Sequence, residues 1–302
     1  MSRTRFVSTA DAEAHPSPAE PLRLQVLAAL ALHRMATTEQ LRQMLRPDGS
    51  RQLLSRVLNK LRATGWVDLT PLPDAPTFAW YLTADGARIT RDLPALRGRP
   101  PYPIPSGAAA SLRTPHTLTV VRTHLCFAAD ARRLGHEHGP WDWTPEVAHS
   151  IGDGERLVAD AVLHYTVVEG AHRRKLRAFV EVDRTTMSSE RLATKLIDYA
   201  RLFSHEPQPV GRRKPTTPGP AWLRWYPVFP RILFVLTNAS PHRLKNRISD
   251  LQDMTAQHPL VAAFARTVQL GAAVLEDLED SGPSAAVWVP LVAGDPRPWT
   301  EL

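Results

Sequence analysis

Between Pro21 and Arg91 apolar residues recur three times at helical spacing and then alternate. In "EPLRLQVLAALALHR" Leu24, Leu27, Ala28, Ala31 and Leu32 share one stripe, which predicts a helix, and Pro21 suits its first turn. "TTEQLRQML" predicts a second helix, capped by Thr37 or Thr38 and closed by the turn residues Pro47 and Gly49. "SRQLLSRVLNKLRATG" predicts a third, opening at Ser50, stopping at Gly65 and burying Leu53, Leu54, Val57, Leu58 and Leu61. "WVDL" and "FAWYLT" read as two short strands joined by the Pro-rich loop "TPLPDAPT", and "ADGARIT" as a further helical turn.

Residues 93–111 carry five prolines and no periodicity, which predicts a semi-extended linker and a domain boundary. Beyond it, Thr114 and Pro115 are the expected cap and first position of a helix with Leu118, Val121, Leu125, Ala128 and Ala129 inward. "DWTPEVAHSI", "RLVADAVLHYTV" and "KLRAFVEVDRTT" are strand candidates separated by the hairpin-like "GDGE" and "EGAHRR". A helix over "SSERLATKLIDYARLF", the apolar strand "RILFVLTN", the capped helix "SPHRLKNRISDLQDMTAQHP" and a last strand in "SAAVWVPLV" follow. The expected organisation is a disordered arm over 1–20, one domain over 21–92, the linker over 93–111 and a second domain over 112–302.

Charge adds a partner class. Lys and Arg number 37 against 30 Asp and Glu, so an anionic partner is expected, and nucleic acid leads. Cys126 is the only cysteine, which excludes a disulfide framework and a cysteine-based zinc cluster and fits a reducing, cytoplasmic setting. No apolar run approaches the roughly 20 residues that span a bilayer, so no membrane association is expected. His116 and His124 stand eight apart, a spacing that favours packing and solvent-facing roles over a metal pair. No Gly-rich phosphate loop or serine-nucleophile elbow is present.

Three helices followed by a hairpin is the order of a winged helix-turn-helix domain, whose third helix can enter the major groove. Its polar face offers Gln52, Arg56 and Asn59 as base readers and Arg51, Lys60 and Arg62 as phosphate contacts, although any amphipathic helix also needs a polar outer face. Double-stranded DNA is the expected partner. Arg212, Arg213 and Lys214, followed by Trp222, Trp225 and Tyr226, form a basic and aromatic insertion that can hold phosphates and stack bases, or cover a sheet edge.

Strand alternation sets Glu181 and Asp183 on one face of the third strand of the second domain, and Asp160 interrupts the strand before it. Converging carboxylates repel unless a cation sits among them, which points to Mg²⁺ or Mn²⁺ held by Asp160, Glu181 and Asp183. Lys195 and Tyr199 share one face of the next helix.

Helix, three strands, helix, strand, helix is the core order of the PD-(D/E)XK nuclease superfamily, which the acids resemble in placement, with "AD" for "PD" and Asp183 where a lysine would stand. The fold class expected is therefore α+β, a winged helix-turn-helix domain followed by a nuclease-like α/β domain with a mixed central sheet. "VADAVL", "AFVEVDRTT" and "KLIDYARLF" after an N-terminal winged helix resemble, more particularly, the replication-relaxation family of actinobacterial plasmids and mobile elements. That resemblance implies a role in plasmid or integrative-element DNA replication, relaxation or transfer, with other proteins of the element, or a second copy of the chain, as further partners. Two readings stay open. In one the protein is a metal-dependent DNA endonuclease with Asp160, Glu181, Asp183 and Lys195 as its catalytic set. In the other it is a DNA-binding regulator or recruitment factor on a catalytically silent nuclease fold.

Overall fold

The computed structural model describes residues 21–73, 75–96, 101–152, 154–186, 188–206 and 219–302. The chain divides into two compact units, one running to Arg132 and including His138–Thr144, the other formed by Arg133–Glu137 and Pro145–Leu302.

The first unit opens with α1 (Leu22–His33), buried on every side and not along one stripe. α2 (Thr38–Leu45) begins at Thr37, whose hydroxyl accepts from the Gln40 N–H while the Gln40 side chain accepts from the Thr37 N–H, a capping box. α3 (Arg51–Ala63) is capped by Ser50 and stops before Gly65, which takes the positive φ of 76° that a helix end favours. Its buried stripe is narrower than expected: Leu54, Leu58 and Leu61 are enclosed, Val57 is partly buried and Leu53 is 42 % exposed.

Between α1 and α2 lies a strand the hydrophobic pattern did not announce, β1 (Met35–Thr37). Three residues are too few to display alternation, and the strand exists because β3 (Ala75–Leu82) offers it a partner, in register Met35 with Tyr81 and Thr37 with Ala79. β2 (Val67–Leu72) pairs with the other edge of β3, so the sheet order is β1-β3-β2. Both strands run into the Pro-rich segment expected to be a loop, with an irregularity between Pro71 and Leu72. α4 (Ala84–Thr90) then packs against the start of β2 at Gly86, where an added Cβ would lie 1.9 Å from the Trp66 carbonyl oxygen.

The expected linker is partly structured. Leu96 and Ile104 are buried, the Ile104 N–H donates to the Leu82 carbonyl, and α5 (Gly107–Leu134) starts within that segment. Pro115 therefore lies inside a helix, where it removes one backbone hydrogen bond. Thr114 is no cap: it is buried and its hydroxyl donates back to the Ala110 carbonyl. α5 falls almost wholly in the first unit, which moves the boundary well beyond residue 111. Its His124 is fully buried, stacked on His33 at 5.0 Å and 3.2 Å from a nitrogen of His138, a packing role.

The second unit is built on a mixed six-stranded sheet ordered β4-β5-β6-β7-β8-β9. β4 (Trp143–Gly152), β5 (Glu155–Glu169) and β6 (His172–Asp183) match the three expected strands, β5 and β6 antiparallel. The β5–β6 turn is shorter than "EGAHRR", because His172, Arg173 and Arg174 already pair within the ladder. α6 (Ser189–Ser204) returns the chain to β7 (Arg231–Leu236), which pairs parallel to β6, a pairing that needs a long crossover of this kind. α7 (Pro241–Gln257) starts at Ser240 with Pro241 in its first turn. Past it come α8 (Pro259–Ala265), β8 (Leu270–Val274) and α9 (Leu275–Ser281), none of them expected, and a last strand of only two residues, β9 (Val289–Pro290). The core joins Phe179, Tyr199, Phe229, Phe234 and Phe264 with Trp222 and Tyr226, so two of the three aromatics considered for base stacking are structural. Arg212, Arg213 and Lys214 lie outside the described residues. Among the described residues no helix is long and apolar enough to cross a membrane.

Gly86→Ala should destabilise the first unit by about 2–4 kcal/mol, since a backbone carbonyl cannot move aside as a side chain can. Urea unfolding of the full chain measures it, and a change below about 0.5 kcal/mol would show that α4 can shift freely.

Candidate functional site

The site grows from the register of β5 and β6. Ala161 pairs with Val180, and Asp160 and Glu181 come next on the two strands, close enough for the charge of one to act on the other. There the ladder gives way: the Asp160 carboxylate accepts the Val182 N–H at 2.8 Å. A side chain thus does the work of a backbone carbonyl, and this accounts for an acid in an apolar strand.

Glu181 sits in the middle of the sheet, only 1 % exposed, between β5 and the parallel β7, where its register partner is Phe234. Such a carboxylate needs donors, and α6 supplies them. Lys195 places its Nζ 3.1 and 3.0 Å from the two carboxylate oxygens and also donates to the Val158 carbonyl at 2.6 Å. The Tyr199 hydroxyl, one turn on, reaches Glu181 at 2.6 Å. The i,i+4 spacing of Lys195 and Tyr199 aims both at one acid while Leu192 and Leu196 fill the core behind them.

Burial pushes the Glu181 carboxyl up to about 7, and the charge of Asp160 adds to this. Lys195 and the hydrogen bonds from Tyr199 and Lys195 pull the other way. The Tyr199 hydroxyl is raised well above its ordinary value, first by burial and then by the Glu181 charge.

Asp183 has a different cation. It is 1 % exposed, and one of its oxygens accepts from the Arg247 guanidinium of α7, while Oδ1 is buried with no donor among the described residues. At the end of β7, Thr237 donates to Glu276 and its N–H to the Asp183 carbonyl, which ties the strand ends together. Among the described residues no three His, Cys, Asp or Glu side chains stand together as metal ligands. The expected trio of Asp160, Glu181 and Asp183 is instead divided between a backbone N–H, a Lys–Tyr pair and an arginine.

Of the expected site residues, then, Asp160, Glu181 and Lys195 come together and Asp183 turns to another helix. Tyr199 belongs to the cluster through its spacing from Lys195, a legible signal. Arg247 was not identified, because nothing in "RLKNRISD" singles out one arginine before α7 is packed on the sheet.

On α3, Arg51, Gln52, Arg56, Asn59, Lys60 and Arg62 are all exposed. Gln52, Arg56 and Asn59 follow one another at helical spacing, and Arg62 forms an ion pair with Asp68 at 3.2 Å.

Two α+β units, the second carrying acids from adjacent strands beneath a helix-borne lysine, define the class. The model of the replication-relaxation family matches residues 27–212, more than half of the chain, and the protein belongs to that family. Membership implies a role in replication or relaxation of plasmid or mobile-element DNA. No curated protein and no solved structure matches the chain.

A buried carboxyl raised from 4.5 to about 7 keeps a proton in the folded state that the unfolded chain has released. Its contribution is fully present below the unfolded value and is lost as pH rises through the folded one. Stability should therefore fall between about pH 5 and 8 by on the order of 3 kcal/mol from this group alone. Glu181→Gln, which cannot ionise, should flatten that decline in urea unfolding. Equal pH slopes for the two proteins would show that Glu181 remains ionised throughout.

Proposed function

We propose that this protein binds duplex DNA of a plasmid or integrative mobile element through a winged helix-turn-helix in its first unit, and acts there in replication, relaxation or transfer. The observation that carries this is the outer face of α3, where Arg51, Gln52, Arg56, Asn59 and Lys60 are exposed on a helix whose opposite side is locked into the core by Leu54, Leu58 and Leu61. Cationic ends beside central amides suit a helix that rests on phosphates and reads base edges, Gln and Asn toward adenine and Arg toward guanine. The element order helix, strand, two helices and hairpin supports the same reading. In the second unit the order β4, β5, β6, α6, β7, with β6 and β7 parallel, supports a PD-(D/E)XK nuclease-like core.

On this reading the acids of the second unit are held by the protein's own groups, Lys195 and Tyr199 on Glu181 and Arg247 on Asp183, and they stabilise the sheet. A second reading, phosphodiester hydrolysis with Mg²⁺ or Mn²⁺, is favoured by one arrangement: Asp160 and Glu181 near one another on adjacent strands with the Lys195 ammonium on Glu181. Such an ion would supply a polarised water and charge for a phosphate. The three carboxylates, each held by a different protein group, do not fit a three-carboxylate ion site.

Replacing Arg56 and Asn59 by Ala should weaken duplex binding by about tenfold or more and relax any sequence preference, measured by fluorescence anisotropy against a fragment library of the parent element. Unchanged affinity in a folded double variant would remove α3 from the interface. For the second reading, plasmid is incubated with the protein and Mn²⁺ beside Asp160→Ala and Glu181→Ala. Nicking lost in both variants would replace the structural role of these acids by a catalytic one, and no nicking by the wild type would sink the hydrolase.

A further inference from the structure

The cations of α3 are not the strongest run of positive charge among the described residues. That run lies on β6, where His172, Arg173, Arg174 and Lys175 are consecutive and exposed and Arg177 follows, half-buried. His172, Arg173 and Arg174 read from the sequence as part of a turn and Lys175 and Arg177 as strand, and all five lie on β6. His172–Arg177 pair in sequence with Glu169–His164 of β5. β7 pairs with β6 only from Ala178 onward, so six residue pairs of the β5–β6 hairpin extend past the β7 ladder as a ribbon, bridged on its β5 side by Glu137 at Thr166.

In an antiparallel pair a cation is usually matched by an acid directly opposite. Here the residues opposite Arg173, Arg174, Lys175 and Arg177 are Val168, Val167, Thr166 and His164, and among these described pairs no carboxylate faces an arginine or lysine. Arg173 forms an ion pair with Glu137, Arg174 donates to the Thr300 carbonyl at 3.4 Å, and Arg177 reaches the His164 ring at 3.4 Å. Strand alternation puts Arg173, Lys175 and Arg177 on one face and His172 and Arg174 on the other, so the ribbon is cationic on both sides. Protection of an exposed edge against pairing with another chain is the competing explanation, but one lysine or arginine suffices for that. Arg173, Lys175 and Arg177 share one face two residues apart, about 6.6 Å at a strand rise of about 3.3 Å, with Arg174 at the other face, a density of positive charge suited to the phosphates of a nucleic-acid backbone.

We propose that the cationic β5–β6 ribbon of the second unit, centred on Arg174 and Lys175, is a second DNA-contact surface that grips the phosphate backbone without reading sequence. It rests on the proposed DNA-binding function and adds to it a surface that neither α3 nor the acid cluster supplies.

The test uses the full chain and a duplex of fixed sequence, with anisotropy followed over a salt series. Arg174→Glu with Lys175→Glu should lower affinity about tenfold or more at about 50 mM salt and make the salt dependence shallower by roughly two ions, since each lost phosphate contact removes about 0.9 from the slope. Arg174→Gln with Lys175→Gln should show the same shallower slope with a smaller loss, and Arg174→Lys with Lys175→Arg should bind as the wild type does. Circular dichroism melting of each variant confirms folding, which exposed positions should preserve. Wild-type affinity and slope in both charge-altering variants would overturn the inference and leave the edge-protection explanation, while α3 still tests the broader function through Arg56 and Asn59. Absence of any duplex binding by the wild type would instead overturn the DNA-binding function itself.

Discussion

The second unit depends on how one carboxylate is held. Glu181 lies in the centre of a mixed sheet at 1 % exposure, and an ion in that position is unfavourable unless it is met by a partner, by hydrogen bonds or by a proton. The fold uses all three means. Lys195 faces both carboxylate oxygens, Tyr199 adds a hydrogen bond, and the affinity for a proton rises to about 7. These groups come from one helix face, so α6 can dock on the sheet in only one rotational setting that leaves the acid satisfied. Removal of a single partner would leave an uncompensated buried charge, which is far more costly than the net worth of the pair.

Asp183 and Arg247 repeat the device with α7, two residues along the same strand. Each of the two helices flanking β7 in sequence is thus tied to β6 by a charge pair as well as by apolar packing around Phe179, Phe234, Leu244 and Leu251. Asp160 solves its own problem differently, by accepting the Val182 N–H where the ladder loosens. Three acids that look alike in the sequence have three physical roles, each set by what lies opposite.

Positive charge is distributed with a comparable division of labour. On α3 the cations flank amide side chains on a helix anchored by three leucines, an arrangement suited to orienting a reading surface. On the β5–β6 ribbon they are consecutive, alternate between faces and stand opposite apolar or neutral residues. Membership of the replication-relaxation family supplies the biological setting in which a protein with both kinds of surface would meet DNA.

Local pattern alone determined much of this protein. Helical stripes and caps located α2, α3, α6 and α7 because Thr37, Ser50, Ser188 and Ser240 satisfy their first-turn N–H groups within a few residues of chain. Alternation located β4, β5 and β6 and placed Glu181 and Asp183 on one face, and helical i,i+4 spacing paired Lys195 with Tyr199. Tertiary structure decided what depends on distant partners. β1 exists only beside β3, α5 runs through Pro115 because packing outweighs one lost backbone bond, and β8 is a strand because β7 offers it a parallel edge. The choice of cation for each acid was decided in the same way, since the sequence shows that charges must be met but not which of 37 lysines and arginines will arrive. Periodicity reports which face of an element is buried, and only the packed chain determines what that face is buried against.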